Sequence, residues 1–185
     1  VWPSITLREA EKFKAVYPLD IPVSIQVFCS SGSKVKYRDE ISDPTIVVYG
    51  SDEDFTETEG HTIEYGRNFT FEEIESGKSL IIIGRDVADM LFNSPQESLG
   101  KSIRLDGQRY KVIGVYIAKG NSLMNTDGFV VIPTRNARQN YASNFSSFQI
   151  GVATINPDQV EIAKDEAITA SVQHFGVFSF SDEFV

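Results

Sequence analysis

A chain of 185 residues with 41 % apolar and 23 % charged side chains has enough apolar mass for a packed core, which excludes a disordered segment. Its formal charge of −9 leaves nothing to neutralise phosphates, so nucleic-acid binding is excluded as well. Cys29 is the only cysteine, which rules out an intramolecular disulfide or a cysteine-rich zinc site, and apolar runs such as Leu80–Ile83 are far too short to span a bilayer.

The first element in chain order is announced by Thr6-Leu7-Arg8-Glu9, a capping box in which hydroxyl and carboxylate each satisfy a free backbone donor. That helix runs to about Val16, where Tyr17-Pro18 stops it. Ile21, Val23, Ile25, Val27 and Cys29 alternate with mostly polar neighbours and predict a half-buried strand. Ser30-Ser31-Gly32-Ser33 predicts a turn into a second strand through Val35 and Tyr37, and residues 45–49 a third, more buried one. Residues 50–79 are acidic and punctuated by Gly50, Gly60, Gly66 and Gly77, with a short helix at Phe71–Glu75. Leu80–Ile83 reads as a buried strand, and Gly84 leads into a helix over residues 85–92 that Asn93-Ser94-Pro95 ends.

Asp106-Gly107, between strands at residues 101–105 and 108–118, is a strong hairpin signal, because the tightest turn needs positive φ at both central residues. A loop of residues 120–128 precedes a strand at residues 129–132, and Pro133-Thr134 starts a helix to about Tyr141. Residues 148–155 predict another strand. Asn156 as N-cap, Pro157 at the first position and Asp158 against the dipole open the last helix. Its apolar stripe is Val160, Ala163, Ala167 and Ala170, widened by Ile168, Val172 and Phe175. Gly176 caps it, and residues 177–180 form a last strand. The class is α+β, rich in antiparallel hairpins.

No constellation for catalysis emerges. Cys29 falls on the apolar side of an alternating strand, where a free thiol behaves as a small hydrophobe. His61 carries no family signature, and His174 on the last turn of a helix complements its dipole. Asp52-Glu53-Asp54 with Glu57 and Glu59 is the densest acidic patch, but Glu57 stands where a calcium loop needs glycine, so a solvated turn is preferred. Ile83-Gly84-Arg85-Asp86 joins strand to helix with one glycine and no Lys-Ser/Thr, which is no phosphate loop. Asn68-Phe69-Thr70 and Asn144-Phe145-Ser146 match the glycosylation pattern through composition alone. No catalytic residue, metal ligand or cofactor is assigned. Leu123 and Met124 sit between polar residues and glycines with no periodic pattern to bury them, which makes them candidates for partner contact. The alternative is that both fold back onto the hairpin.

Longer stretches of the sequence carry more. The first is Glu64-Tyr65-Gly66-Arg67-Asn68-Phe69-Thr70-Phe71-Glu72-Glu73. The second is the strand and helix of residues 80–92, followed by Ser98-Leu99-Gly100-Lys101-Ser102-Ile103-Arg104-Leu105-Asp106-Gly107. The third is Tyr110-Lys111-Val112-Ile113-Gly114-Val115, followed by the strand of residues 129–133. In this order and spacing they resemble the extracytoplasmic core domain of MacB-type, FtsX-like ABC transporter permeases, well over residues 50–133 and loosely beyond. Phe28-Cys29-Ser30-Ser31 departs from the usual family wording.

The resemblance implies a non-catalytic domain on the periplasmic side of a bacterial inner membrane. It would be inserted between the first two of four transmembrane helices in a permease that works as a dimer. The chain lacks an initiator Met and a signal peptide, as an excised piece would. Two lobes follow: a membrane-proximal sheet-and-helix lobe of residues 1–55 plus 145–185, and a central lobe of residues 56–144. The implied partners are the permease's own transmembrane helices, a cognate ATPase, and an adaptor protein or a lipoprotein or peptide substrate. Insertion between packed neighbours also predicts Thr6 and Phe180 on the same side, within roughly 20 Å. A free-standing periplasmic or surface binding protein with its own pocket is the alternative.

Overall fold

The computed structural model describes residues 4–118, 128–144, 147–154 and 156–175. The chain begins with α1 (Leu7–Val16), and Thr6 caps it as the sequence predicts: the Thr6 amide donates to Glu9 Oε2 at 2.7 Å and Thr6 Oγ1 accepts the Glu9 amide at 3.3 Å. There follow β1 (Val23–Ser33), β2 (Val35–Tyr37), β3 (Glu40–Ile41), β4 (Ile46–Ser51), α2 (Phe55–Thr58) and β5 (Ile63–Gly66). Next are α3 (Phe71–Glu75), β6 (Leu80–Ile83) and α4 (Arg85–Leu91), then β7 (Ser102–Leu105), β8 (Gln108–Tyr116), β9 (Phe129–Pro133), α5 (Thr134–Tyr141), β10 (Gln149–Val152) and α6 (Val160–Phe175). The architecture is α+β, as expected.

All ten strands among the described residues share one mixed sheet in the order β10-β1-β4-β9-β6-β8-β7-β2-β3, with β5 also on β8 beside β7. The path leaves β1 and comes back to β2, yet only Lys34 separates these two in the chain. The sheet is therefore curled until its far end meets its near one. The turn expected at residues 30–33 is absent. β1 instead runs through to Ser33, and two register shifts against β4, between Phe28 and Ser33, bend the strand without ending it.

The closure is held by the predicted hairpin. Asp106 and Gly107 sit at φ 48° and 85°, the positive values a two-residue turn requires. The Asp106 carboxylate accepts the Ser33 hydroxyl at 2.6 Å, the Lys34 amide at 3.0 Å and the Tyr141 hydroxyl at 2.8 Å. Its own amide donates to the Lys34 carbonyl at 3.0 Å. One turn residue thus joins β7–β8, the β1–β2 junction and α5.

Alternation sorts the side chains into two cores. On the inner face Ile25, Val27, Ile46, Val48, Ile81, Ile83, Val130 and Ile132 meet α1, α4 and α5, and each such side chain contributes about 1.5–3 kcal/mol by leaving water. On the outer face Ile82, Ile113, Tyr116 and Val131 are covered by Phe55, Phe69 and Ile74. A third cluster joins α1 to α6, with Phe13, Tyr17 and Val23 against Ala167 and Ala170, and Tyr17 donates to the Ala163 carbonyl at 2.9 Å. Ala163, Ala167 and Ala170 are buried as predicted, whereas Ile168 is exposed. Residues 177–180 lie outside the described residues, and with them the Thr6–Phe180 distance.

Gly107 has open space around a Cβ, so Gly107→Val adds only the conformational penalty of roughly 1–2 kcal/mol. Asp106→Ala removes three hydrogen bonds and is the more severe change, about 2–3 kcal/mol. Melting temperatures should fall by roughly 2–8 °C and 4–12 °C respectively. A thermal melt of Asp106→Ala matching that of the wild type would refute the closing role of this turn.

Candidate functional site

The segment of residues 64–73 stands at the outer face, and its chemistry is architectural. Gly66 has φ +80°, and a Cβ there would run into the Ile113 carbonyl and the Leu99 side chain. The chain then turns so that Arg67 donates two parallel hydrogen bonds to Glu73, Nη1 to Oε2 and Nη2 to Oε1, both at 2.8 Å. This fork holds the Glu73 carboxyl down at about 2, against its partial burial and helped by the Thr70 amide. Thr70 Oγ1 in turn accepts the Glu73 amide, a second capping box with the Thr-x-x-Glu spacing already present in the sequence. Phe69, buried between these polar ends, anchors the segment on Ile82 and Ile113.

The acidic run beside it is not the solvated turn the sequence suggests. Asp52 is 4 % exposed; its carboxylate accepts Lys14 Nζ at 2.8 Å, the Ile25 amide at 2.9 Å and the Asp54 amide at 3.2 Å. Lys14 also reaches Asp54 at 2.6 Å and Glu53 at 3.4 Å. Burial pushes the Asp52 carboxyl up to about 6, with the Lys14 hydrogen bond and charge pulling the other way. Burial acts downward on the Lys14 ammonium, but its hydrogen bonds and the three carboxylates together leave it above its ordinary value. The clamp fastens α1 to β1 and to the start of α2.

Further along the outer face the cover thins into a strip of aromatic rings. Phe28 meets Tyr49 edge-on at 6.0 Å, Tyr49 lies 6.2 Å from Phe55, and Phe55 lies 5.5 Å from His61. His61 stacks on Phe129 at 5.2 Å and lies 5.0 Å from Tyr116. Phe28 is 45 % exposed, and Ile117, next to β8, is 46 % exposed. Tyr49, His61 and Phe129 are half-buried. Sequence reasoning missed this strip, because its rings come from five separate segments.

The titratable candidates do not converge. Cys29 belongs to the inner core, where burial pushes its thiol up to about 12, while His61 packs among outer-face rings. The His174 side chain, Leu123 and Met124 lie outside what the structure describes. Among the described residues no group of three His, Cys, Asp or Glu side chains is arranged to hold a metal ion, and no helix is long and apolar enough to cross a membrane. An open groove of about 720 Å³ runs beside Arg38, Glu40, Asp89, Phe92 and Lys101, and a smaller one of about 400 Å³ beside Leu7 and Phe148.

The clamp yields a pH-dependent prediction. Asp52 binds its proton more tightly folded than at its ordinary value of 3.8, so its contribution to stability is full below that value and fades as pH rises through about 6. Removing Lys14 leaves the carboxylate buried without its cation and extends that loss to higher pH. Lys14→Met should cost about 3 kcal/mol near pH 8 and distinctly less near pH 5, where Asp52 is largely neutral. Denaturant titrations at the two pH values measure this; equal deficits would contradict the assignment.

Comparison with known proteins gives this geometry its context. A family model described as the MacB-like periplasmic core domain matches residues 1–170. The macrolide export ATP-binding/permease protein MacB of Neisseria gonorrhoeae is 32 % identical over 98 residues, which is 53 % of this chain and 15 % of that protein. The pyoverdine export ATP-binding/permease protein PvdT of Pseudomonas fluorescens is 24 % identical over 150 residues, 80 % of this chain and 21 % of that protein. The chain thus spans about a fifth or less of these relatives. Among solved structures, the extracellular domain of the noncanonic ABC-type transporter YknZ from Gram-positive bacteria superposes with a TM-score of 0.69 at 23 % identity, covering 95 % of this chain and 86 % of that one. The periplasmic region of MacB from Actinobacillus actinomycetemcomitans gives 0.67 at 14 % identity, covering 88 % and 72 %. With its sequence matched over residues 1–170 and its fold shared with both structures, the chain belongs to the MacB-like periplasmic core domains, the non-catalytic periplasmic domains of ABC transporter permeases.

Proposed function

We propose that this domain transmits ATP-driven motion within its transporter and docks a partner protein or an envelope substrate. The observation that carries the reading is the pairing of α1 with α6 through Phe13, Tyr17, Ala167 and Ala170. The first and last described helices are packed side by side on a sheet closed upon itself. A displacement entering through one end is thereby passed to the rest of the sheet. Arg135 adds to this stiffness by tying Glu11 of α1 at 2.9 Å to Glu75 of α3 at 3.0 Å.

In this reading residues 1–55 and 145–185 form the membrane-proximal part and residues 56–144 point away from the membrane. The partners are the permease's own transmembrane helices, a cognate ATPase, a second copy in the assembled transporter, and an adaptor or a lipoprotein or peptide substrate. Leu123 and Met124 remain proposed contacts. The two grooves beside Phe92 and beside Phe148 are open, which favours docking over the enclosed pocket that a free-standing binding protein would use.

Replacing residues 7–175 by a short flexible linker in the complete transporter tests the role. ATP hydrolysis should persist while transport is lost. Transport at the wild-type rate would overturn the proposal.

A further inference from the structure

We propose that the outer-face strip of Phe28, Tyr49, His61 and Phe129 is a docking site for a basic polypeptide segment with apolar side chains, supplied by a protein partner. The inference rests on the docking role above and names its surface and the chemistry that fits it.

The strip exists because cover and sheet do not match in extent. α2, Phe69 and α3 shield Ile82, Ile113, Tyr116 and Val131, and so cover the outer face of β6, β8 and β9. Phe28 and Tyr49, paired across β1 and β4, lie at the border of that cover. From Phe28 through Tyr49, Phe55 and His61 to Phe129, successive ring centroids are 5.2–6.2 Å apart, so the rings form one packed series, with Phe55 buried beneath its middle and Tyr49, His61 and Phe129 half-buried. At one end Phe28 is nearly half exposed. Scattered exposed apolar residues are ordinary, but aromatic rings packed in series with one end exposed are the anatomy of a recognition surface.

Charge selects the occupant. Residues 52–64 hold six carboxylates, Asp52, Glu53, Asp54, Glu57, Glu59 and Glu64, and no lysine or arginine. Lys14 meets the first three and Arg85 meets Glu64, so the stretch keeps an acidic excess. Glu59 lies against the strip: its Oε1 accepts Gln26 Nε2 at 3.1 Å, and its charge adds to burial in raising the Tyr49 phenol. Gln26 stands two residues before Phe28 on the same strand. Glu57, on α2 beside Phe55, is exposed.

An anionic membrane surface would be repelled by this rim. A second copy docked through the same face would bring the same carboxylates opposite themselves, on a chain of formal charge −9. A basic segment gains on both counts. Its cations meet the carboxylates and the ring of Tyr49, while its apolar side chains cover Phe28.

The test uses the 185-residue chain and a short dye-labelled peptide of alternating lysine with leucine and tryptophan, beside a control with glutamate for lysine. Anisotropy should report saturable binding of the lysine peptide that weakens with added salt, and none of the control. Phe28→Ser, at an exposed position, should weaken binding about tenfold while leaving the melting temperature unchanged. Glu57→Lys, on the exposed rim, should weaken it without disturbing the rings. Equal binding by Phe28→Ser and wild type would overturn the proposal, as would capture of the glutamate peptide, or self-association or binding to anionic vesicles through this strip. If the peptide fails to dock while the linker replacement still abolishes transport, the strip loses its assignment and the coupling role stands. If the peptide docks while the linker replacement leaves transport intact, the strip keeps its assignment and the coupling role falls.

Discussion

One covalent constraint organises the molecule: β1 passes into β2 through Lys34 alone, although these strands stand next to opposite ends of the hydrogen-bonded path. A flat sheet cannot satisfy that connection. The register shifts in β1 supply the bend, and the Asp106 turn fastens the junction where the ends meet. From the curl follow the division into two cores and the seat for α5, whose Tyr141 completes the Asp106 site. The outer strip is a by-product of the same geometry, since short helices cannot cover the whole outside of a curled sheet.

Much of the local structure was legible because its signals are local. The Thr6–Glu9 box, the Asp106-Gly107 turn, the alternation of Ile25, Val27 and Cys29 and the alanine stripe of α6 each depend on residues a few positions apart. Contacts across long separations were not legible. Lys14 and Asp52 are 38 positions apart, and Ser33 and Asp106 are 73 apart, so nothing near Asp52 distinguishes a buried clamp from a solvated acidic turn. Ser30-Ser31-Gly32-Ser33 misled for a related reason. Turn-prone residues also suit a bulged strand, and only pairing with β4 decides between the two. The short α2, β3 and β5 lack enough residues to display a period. The aromatic strip belongs to the same illegible class, and Leu123 and Met124 lie outside the described residues.

The stretch of residues 64–73 marked the family, and its residues are builders. Gly66 permits close approach to β8, Arg67 and Glu73 lock a loop to a helix start, and Phe69 fills the outer core. Membership in the family is therefore read from residues that make the scaffold, whereas the rings of the proposed docking strip, and Glu57 on its acidic rim, lie outside that stretch.

The pairing of β1 with β10 carries a consequence for how the chain is made. Val23 finds Val152 across the sheet, and Gln26 finds Gln149. The ribosome delivers these partners roughly 130 residues apart, which at about 5–20 residues per second means an interval of about 6–25 s. Throughout it one margin of β1 has donors and acceptors without mates, beside Val23 and Ile25 that later become core. Nascent copies crowded on one message would offer each other the same open margin. The interval before β10 emerges is therefore the one in which pairing between copies meets least competition from the chain's own strands.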